Sequence, residues 1–293
     1  MIEADKPSLK RRAKRAVKLA LRRFRHRPLR GAAMVRDLRA MGIKPGDLLL
    51  VHSSLSSLGY VSGGAGGVID ALAEALGPEG TLAMPTHSWD RVERGCREFD
   101  ARRTPSCVGR ITEVFRGLPG VVRSLHPTHS VAARGPLAEW LVADHQRSET
   151  PCGEGTPYAR IMDRGGRVLL LGVTLHVNTC FHATEAMAGV PYLLCEEPEE
   201  FTLVDASGHR RTASILRHRK GIVRRFAQTE DLLVHEGIVR RGEVGPARSL
   251  LAEAGPMRDL VVAKLREDPG FLLAHPERDL PAAAPDRVAA GRA

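Results

Sequence analysis

The sequence predicts an α/β protein with a mostly parallel or mixed central sheet, and three observations carry that reading. A short apolar run, "LLLVHSSL", is followed by a glycine-rich loop, a helical stretch and a second apolar run, "TLAMPT". Strand, loop, helix, strand is the order of a parallel α/β unit. "GRVLLLGV" reads as the strongest buried strand of the chain, and a helical segment dotted with polar residues, "VNTCFHATEA", follows it directly. Helical and extended patterns alternate through most of the remaining sequence.

Taken in order, residues 1–30 come first. They hold twelve Lys or Arg against two acids, which accounts for the whole net charge of +10 and leaves the rest balanced. Leu9, Ala13, Val17, Ala20, Leu21 and Phe24 recur at helical spacing, so "LKRRAKRAVKLALRRF" reads as a basic amphipathic helix. Such a helix can attach to an anionic membrane or to nucleic acid. It can equally dock its apolar stripe on its own domain or on a sister subunit of a homodimer, and that is the favoured reading.

From residue 32 "AAMVRDLRAMGI" reads as helix, "KPGD" as turn, "LLLVHSSL" as strand, "VIDALAEALG" as helix and "TLAMPT" as strand. Residues 87–108 read as irregular. Then come helix ("VGRITEVFRGL"), strand ("HSVAARG"), two helices ("PLAEWLVADH", "YARIMDRG") and the strand "GRVLLLGV". Residues 200–217 alternate around "ASG" as a β-hairpin, and two helices, "RFAQTEDLLVHEG" and "PMRDLVVAKLRED", close the folded part. The Ala- and Pro-rich residues 279–293 read as a loose tail. The expected organisation is a basic helix (1–30), one domain (31–278) and that tail.

At 293 residues the chain can bury a full core without staples. Its five cysteines form no C-x-x-C pair and follow no signal peptide, so a reduced, cytoplasmic setting is expected. No stretch approaches the ~20 apolar residues of a membrane span.

The chemistry concentrates in a few motifs. Thr179, His182 and Glu185 stand three residues apart, so on a helix neighbours come within reach of one another. Glu185 could hold one imidazole nitrogen while the other takes a proton, with Thr179 placed to stabilise an oxyanion or a leaving group. The plainer reading is an ordinary His and Glu contact with Thr179 or Asn178 as N-cap, and spacing alone favours it. Cys180 points about 100° away from Thr179 and reads as packing.

"GYVSGGAGG" runs into a helix N-terminus and could face an anion, or could be only a turn; it lacks the Lys-Ser/Thr of a P-loop. "VHSSLSSLG" places four serines past a buried strand, where they could hydrogen-bond a ligand. No Gly-x-Ser-x-Gly elbow is present. His126, His129 and His145 lack partners at ligand spacing, so no metal is expected and structural or substrate-contacting roles fit them better. "CEEPEEF" reads as a solvated acidic face or a patch for a polycation.

Several of these pieces occur together in a known order. "LLVHSSLSSLGYVSGGAGGVIDALAEALGPEGTLAMPTHSWD", "FDARRTPSCVGRITEVFRGLPGVVRSLHPTHSVAARG", "GEGTPYARIMDRGGRVLLLGV" and "NTCFHATE" resemble, in order and spacing, the aminoglycoside 3-N-acetyltransferase family over residues 32 to about 270. The resemblance implies a three-layer α/β/α sandwich and transfer of an acetyl group from acetyl-coenzyme A to a small-molecule amine, an antibiotic-resistance activity in the family. It implies His182 as active-site base, Glu185 as its orienting acid and Thr179 beside the acyl carbonyl or thiolate. It also implies a cofactor path along Ser53, Ser54, Leu55 and Ser56, with Arg123 and Ser124 near the cofactor. The acceptor could be an aminoglycoside or an amino sugar of a metabolite or polysaccharide. A non-catalytic protein docking on RNA or an anionic membrane through residues 1–30 is the alternative of another class.

Overall fold

A computed structural model describes residues 28–280. The basic helix expected within residues 1–30 and nearly all of the expected tail lie outside the described residues.

Helix α1 (Gly31–Ala40) leads into β1 (Leu48–Ser53), α2 (Gly64–Leu76) and β2 (Thr81–Pro85). After them come α3 (Trp89–Glu93), β3 (Glu98–Asp100), α4 (Arg110–Phe115), β4 (Val122–Arg123), β5 (Val131–Arg134) and α5 (Ala138–Val142). Helix α6 (Pro157–Asp163), β6 (Arg167–Leu171), α7 (Cys180–Ala188) and the hairpin β7 (Glu199–Val204) and β8 (Arg210–Ile215) continue the chain. It ends with α8 (Glu230–His235), β9 (Val239–Val244), β10 (Ala247–Glu253), α9 (Ala254–Glu267) and α10 (Pro276–Asp279).

The main sheet has seven strands in the order β4-β5-β2-β1-β6-β10-β9. Its centre, β2-β1-β6, is parallel, and both flanks are antiparallel. The central strands are buried on both faces, which is why they read as unbroken apolar runs. Leu49 and Val51 pack with α1, α2 and α4 on one side; Leu48 and Leu50 pack with α5, α6, α7 and α9 on the other. This is the expected three-layer α/β/α arrangement with a mixed sheet.

A second, three-stranded sheet, β3-β7-β8, carries its own small core of Val92, Phe99, Phe201, Leu203 and Ile215. The 200–217 hairpin is as expected. Strand β3, by contrast, lies in the stretch expected to be irregular: three residues are too few to display a period, and their pairing with β7 joins segments about a hundred residues apart. The β9–β10 hairpin also departs from the expected run of helices. Edge strand β9 ("VRRGEV") is largely exposed, so it lacks the apolar alternation that marks a half-buried strand. In the glycine-rich loop, a Cβ on Gly67 would sit 2.1 Å from the Ser62 carbonyl oxygen. That glycine is therefore required by close backbone approach, the turn reading of the motif.

Candidate active site

A cleft of about 420 Å³ opens beyond the carboxyl ends of the three parallel strands, where α/β sheets bring loops from neighbouring strands together. His52 and Ser53 end β1, His87 follows β2, and Asn178, Thr179 and His182 follow β6. His129, Phe226, Trp89 and His176 complete much of its wall.

Helix α7 places the central group. Thr179 occupies its N-cap position but makes no side-chain cap. The Asn178 side-chain oxygen instead accepts from the Cys180 amide at 3.1 Å, leaving the Thr179 hydroxyl beside the cleft. One turn on, His182 Nδ1 lies 2.6 Å from Glu185 Oε2. Glu185 has no exposed surface. Its carboxylate also accepts from Arg224 Nε, at 2.8 Å to one oxygen and 3.1 Å to the other. Burial works against ionising Glu185. The His182 hydrogen bond and the charges of His182 and Arg224 outweigh it, and the carboxyl is held below its usual range. An ionised Glu185 fixes the donor tautomer of His182 Nδ1 and directs Nε2 as the nitrogen that can take a proton.

Other histidines surround this group. The His182 ring is 4.5 Å from that of His218, which is 4.6 Å from His129, itself 4.7 Å from His87. His126 stacks on His145 at 4.6 Å. Burial pushes His52 down to about 3 and His145 to about 4, and drives His87, His126, His129 and His218 well below the ordinary imidazole value. His87 Nε2 is 2.7 Å from the Tyr158 hydroxyl, which donates to the His129 carbonyl at 3.2 Å. A neutral His87 donating through Nε2 satisfies that chain. Among the described residues no group of three or more His, Cys, Asp or Glu is arranged to hold a metal ion.

Residues 50–266 match the sequence profile of the family described as aminoglycoside 3-N-acetyltransferase. The chain belongs to the aminoglycoside 3-N-acetyltransferase family. It is 35% identical over 280 residues to aminoglycoside N(3)-acetyltransferase VII of Streptomyces paromomycinus, covering 86% of this chain and 96% of that one. It is 33% identical over 264 residues to aminoglycoside N(3)-acetyltransferase IX of Micromonospora chalcea, covering 80% and 92%. Among solved structures, a histidine-to-alanine variant of AAC(3)-IVa in complex with a gentamicin superposes with a TM-score of 0.75 at 33% identity, covering 87% of this chain and 95% of that chain. AAC-IIIb in a binary complex with CoASH superposes with a TM-score of 0.69 at 25% identity, covering 87% and 99%.

Within this acetyltransferase family member the sequence-expected residues divide. Thr179, His182 and Glu185 are brought together, and Ser53 lines the same cleft with a buried hydroxyl that has no partner. Ser54 is tied to the end of β6 through its amide and the Leu171 carbonyl, and its hydroxyl meets those of Ser56 and Ser57 at 3.0 Å. Ser54, Leu55 and Ser56 thus stand beside the cleft rather than in its wall.

Arg123 and Ser124 both turn inward. Arg123 donates to the hydroxyls of Thr86 and Ser130 and to the Thr86, Ala101 and Thr104 carbonyls, over the Phe99 ring. A guanidinium so occupied braces the loops behind the cleft. Ser124 pairs with His145 Nδ1 at 2.8 Å. The acidic run is likewise engaged in part, since Glu199 pairs with Arg97 and Arg217.

Sequence reasoning missed Arg224, His87, Tyr158 and His218 as residues of the cleft and its surroundings. Among them only His87, just past an apolar run, carried a local signal. Cys180 is packed in the core, and burial pushes its thiol up to about 12, far from a ready nucleophile. Cys180→Ala is therefore expected to leave turnover essentially intact in a thiol-release assay; a collapse of turnover would instead mark it as the acyl carrier.

Proposed function

We propose that this protein transfers the acetyl group of acetyl-coenzyme A directly to an amine of an aminoglycoside or related amino sugar, with His182 as general base. The observation that carries this reading is the line Arg224, Glu185, His182, which ends at the cleft with Glu185 held on Nδ1 and leaves Nε2 as the ring's other nitrogen. Family membership and the gentamicin- and CoASH-bound relatives support the two substrate classes. The partnerless Ser53 hydroxyl, in a cleft also lined by Val51, Val108 and Val177, fits a narrow arm bearing amide groups such as pantetheine.

His182 Nε2 takes the amine proton as nitrogen attacks the thioester carbon. Glu185 stabilises the imidazolium through Nδ1–H. Thr179 donates its hydroxyl to the oxyanion or to the departing sulfur. As the carbon–sulfur bond breaks, His182 passes that proton to the departing sulfur, so amide and free thiol form without an acyl-enzyme. Ser54, Leu55 and Ser56 line the outer cofactor path in this reading.

The test is His182→Ala, assayed by thiol release with acetyl-coenzyme A and a panel of aminoglycosides and amino sugars. Turnover is expected to fall ~100-fold or more while coenzyme A binding, measured by calorimetry, is retained. Undiminished turnover would remove His182 from the chemistry.

A further inference from the structure

Arg224 is held in an unusual way. Its Nε reaches both oxygens of Glu185, its Nη1 donates to the Ile222 carbonyl at 3.3 Å, and its Nη2 is buried without a partner. The guanidinium carbon lies 5.7 Å from the centre of the Tyr192 ring. Buried ion pairs contribute little net stability, and an unpartnered buried N–H is a cost. Stability alone is therefore a poor reason for placing a guanidinium here.

We propose that Arg224 is a positioning residue that sets when His182 can act as a base: by matching the charge of Glu185, it lets that carboxylate orient the imidazole without locking it as imidazolium. This rests on the reading of His182 as the general base. A fully buried carboxylate 2.6 Å from Nδ1, left alone, would favour the protonated ring, because opposite charges at that distance in a poorly solvated site favour each other's ionised forms. A protonated ring has no lone pair on Nε2 and cannot accept the amine proton. The Arg224 charge, bound to the same carboxylate, opposes a second cation and keeps the resting ring ready to receive one.

Apart from Asp268, the other ionisable groups around the pair carry no competing charge. His218 on the Arg224 segment, His129 and His87 on the loops across the cleft, and Tyr192 and Cys152 behind Glu185 are each held neutral by burial. Asp268, at the C-terminal end of α9, adds its charge at Tyr192.

The decisive measurement is the titration of the His182 ring, followed by NMR of ¹⁵N-histidine-labelled, ligand-free protein and assigned by its absence in His182→Ala. Arg224→Met, and Arg224→Gln as a second neutral variant should Met not fold, are expected to raise its midpoint by about one pH unit or more. Arg224→Lys, which keeps the charge, is expected to restore it. Where turnover is measurable with acetyl-coenzyme A and gentamicin, the acidic limb of kcat/KM should move up in parallel. An unchanged midpoint in a folded neutral variant overturns the proposal, as does a uniform loss of kcat at every pH. Turnover surviving in His182→Ala would instead remove the base reading, and the ring titration would still decide what Arg224 does.

Discussion

Acidification is expected to unfold this protein well above the carboxylate range. His52, His87, His126 and His145 are all less than a tenth exposed, and burial lowers each, His52 to about 3 and His145 to about 4. In the unfolded chain the same rings titrate near ~6.5. The unfolded state thus binds protons that the folded state refuses, so stability is full above that value and is lost as the pH falls below it, towards the folded values. Each ring costs up to about 1.4 kcal/mol per pH unit over that window, so His52 and His145 together remove roughly 4 kcal/mol between pH 7 and pH 5, and His87 and His126 act in the same direction. That is a large part of the ~5–15 kcal/mol by which folded domains are stable. His129 and His218, partly open to the cleft, act in the same direction with a smaller, solvent-screened effect. Glu185, held below its usual range, adds a loss only at lower pH. Denaturant midpoints measured from pH 7.5 to pH 5 should fall steeply below pH 6.5; a flat profile down to pH 5.5 would show these rings protonated within the fold.

Glu185→Gln is expected to be the most damaging single substitution at the site. It keeps the shape of the side chain but leaves the buried Arg224 guanidinium without its counter-charge. Breaking a buried pair from one side typically costs ~3–5 kcal/mol, whereas replacing both partners with apolar residues of similar volume is often neutral. The double variant Glu185→Leu with Arg224→Met should therefore recover most of the stability while remaining inactive, because His182 loses the group that orients it. Denaturant unfolding of both variants checks the expectation; a Glu185→Gln protein within about 1 kcal/mol of wild type would mean that Arg224 finds another acceptor or exchanges with solvent.

Which parts of this molecule could be read from residues follows from the range of the interactions concerned. The central strands declared themselves because burial on both faces forces an unbroken apolar run. The His182 and Glu185 pair was visible as a spacing because a helix brings i and i+3 together whatever else the fold does. Spacing could not separate a catalytic pair from an ordinary one. Ordered motifs along the chain placed the pair within a family, since they report many local constraints at once. Strand β3 and the exposed edge strand β9 carried no such signal, because a three-residue strand has no period and an edge strand need not alternate.

By itself, then, the sequence determined the parallel core, the family and the triplet Thr179, His182 and Glu185. Tertiary structure alone decided what surrounds them. Arg224 sits 39 positions from Glu185, and His87, His129 and His218, the histidines that crowd His182, come from three separate segments. Their meeting, their burial and the resulting loss of charge depend on how the strand ends converge. The hydrogen bonds by which Arg123, placed by the resemblance near the cofactor, braces the Thr86 and Thr104 carbonyls follow from the tertiary structure for the same reason: a buried guanidinium needs acceptors that only the folded backbone brings together.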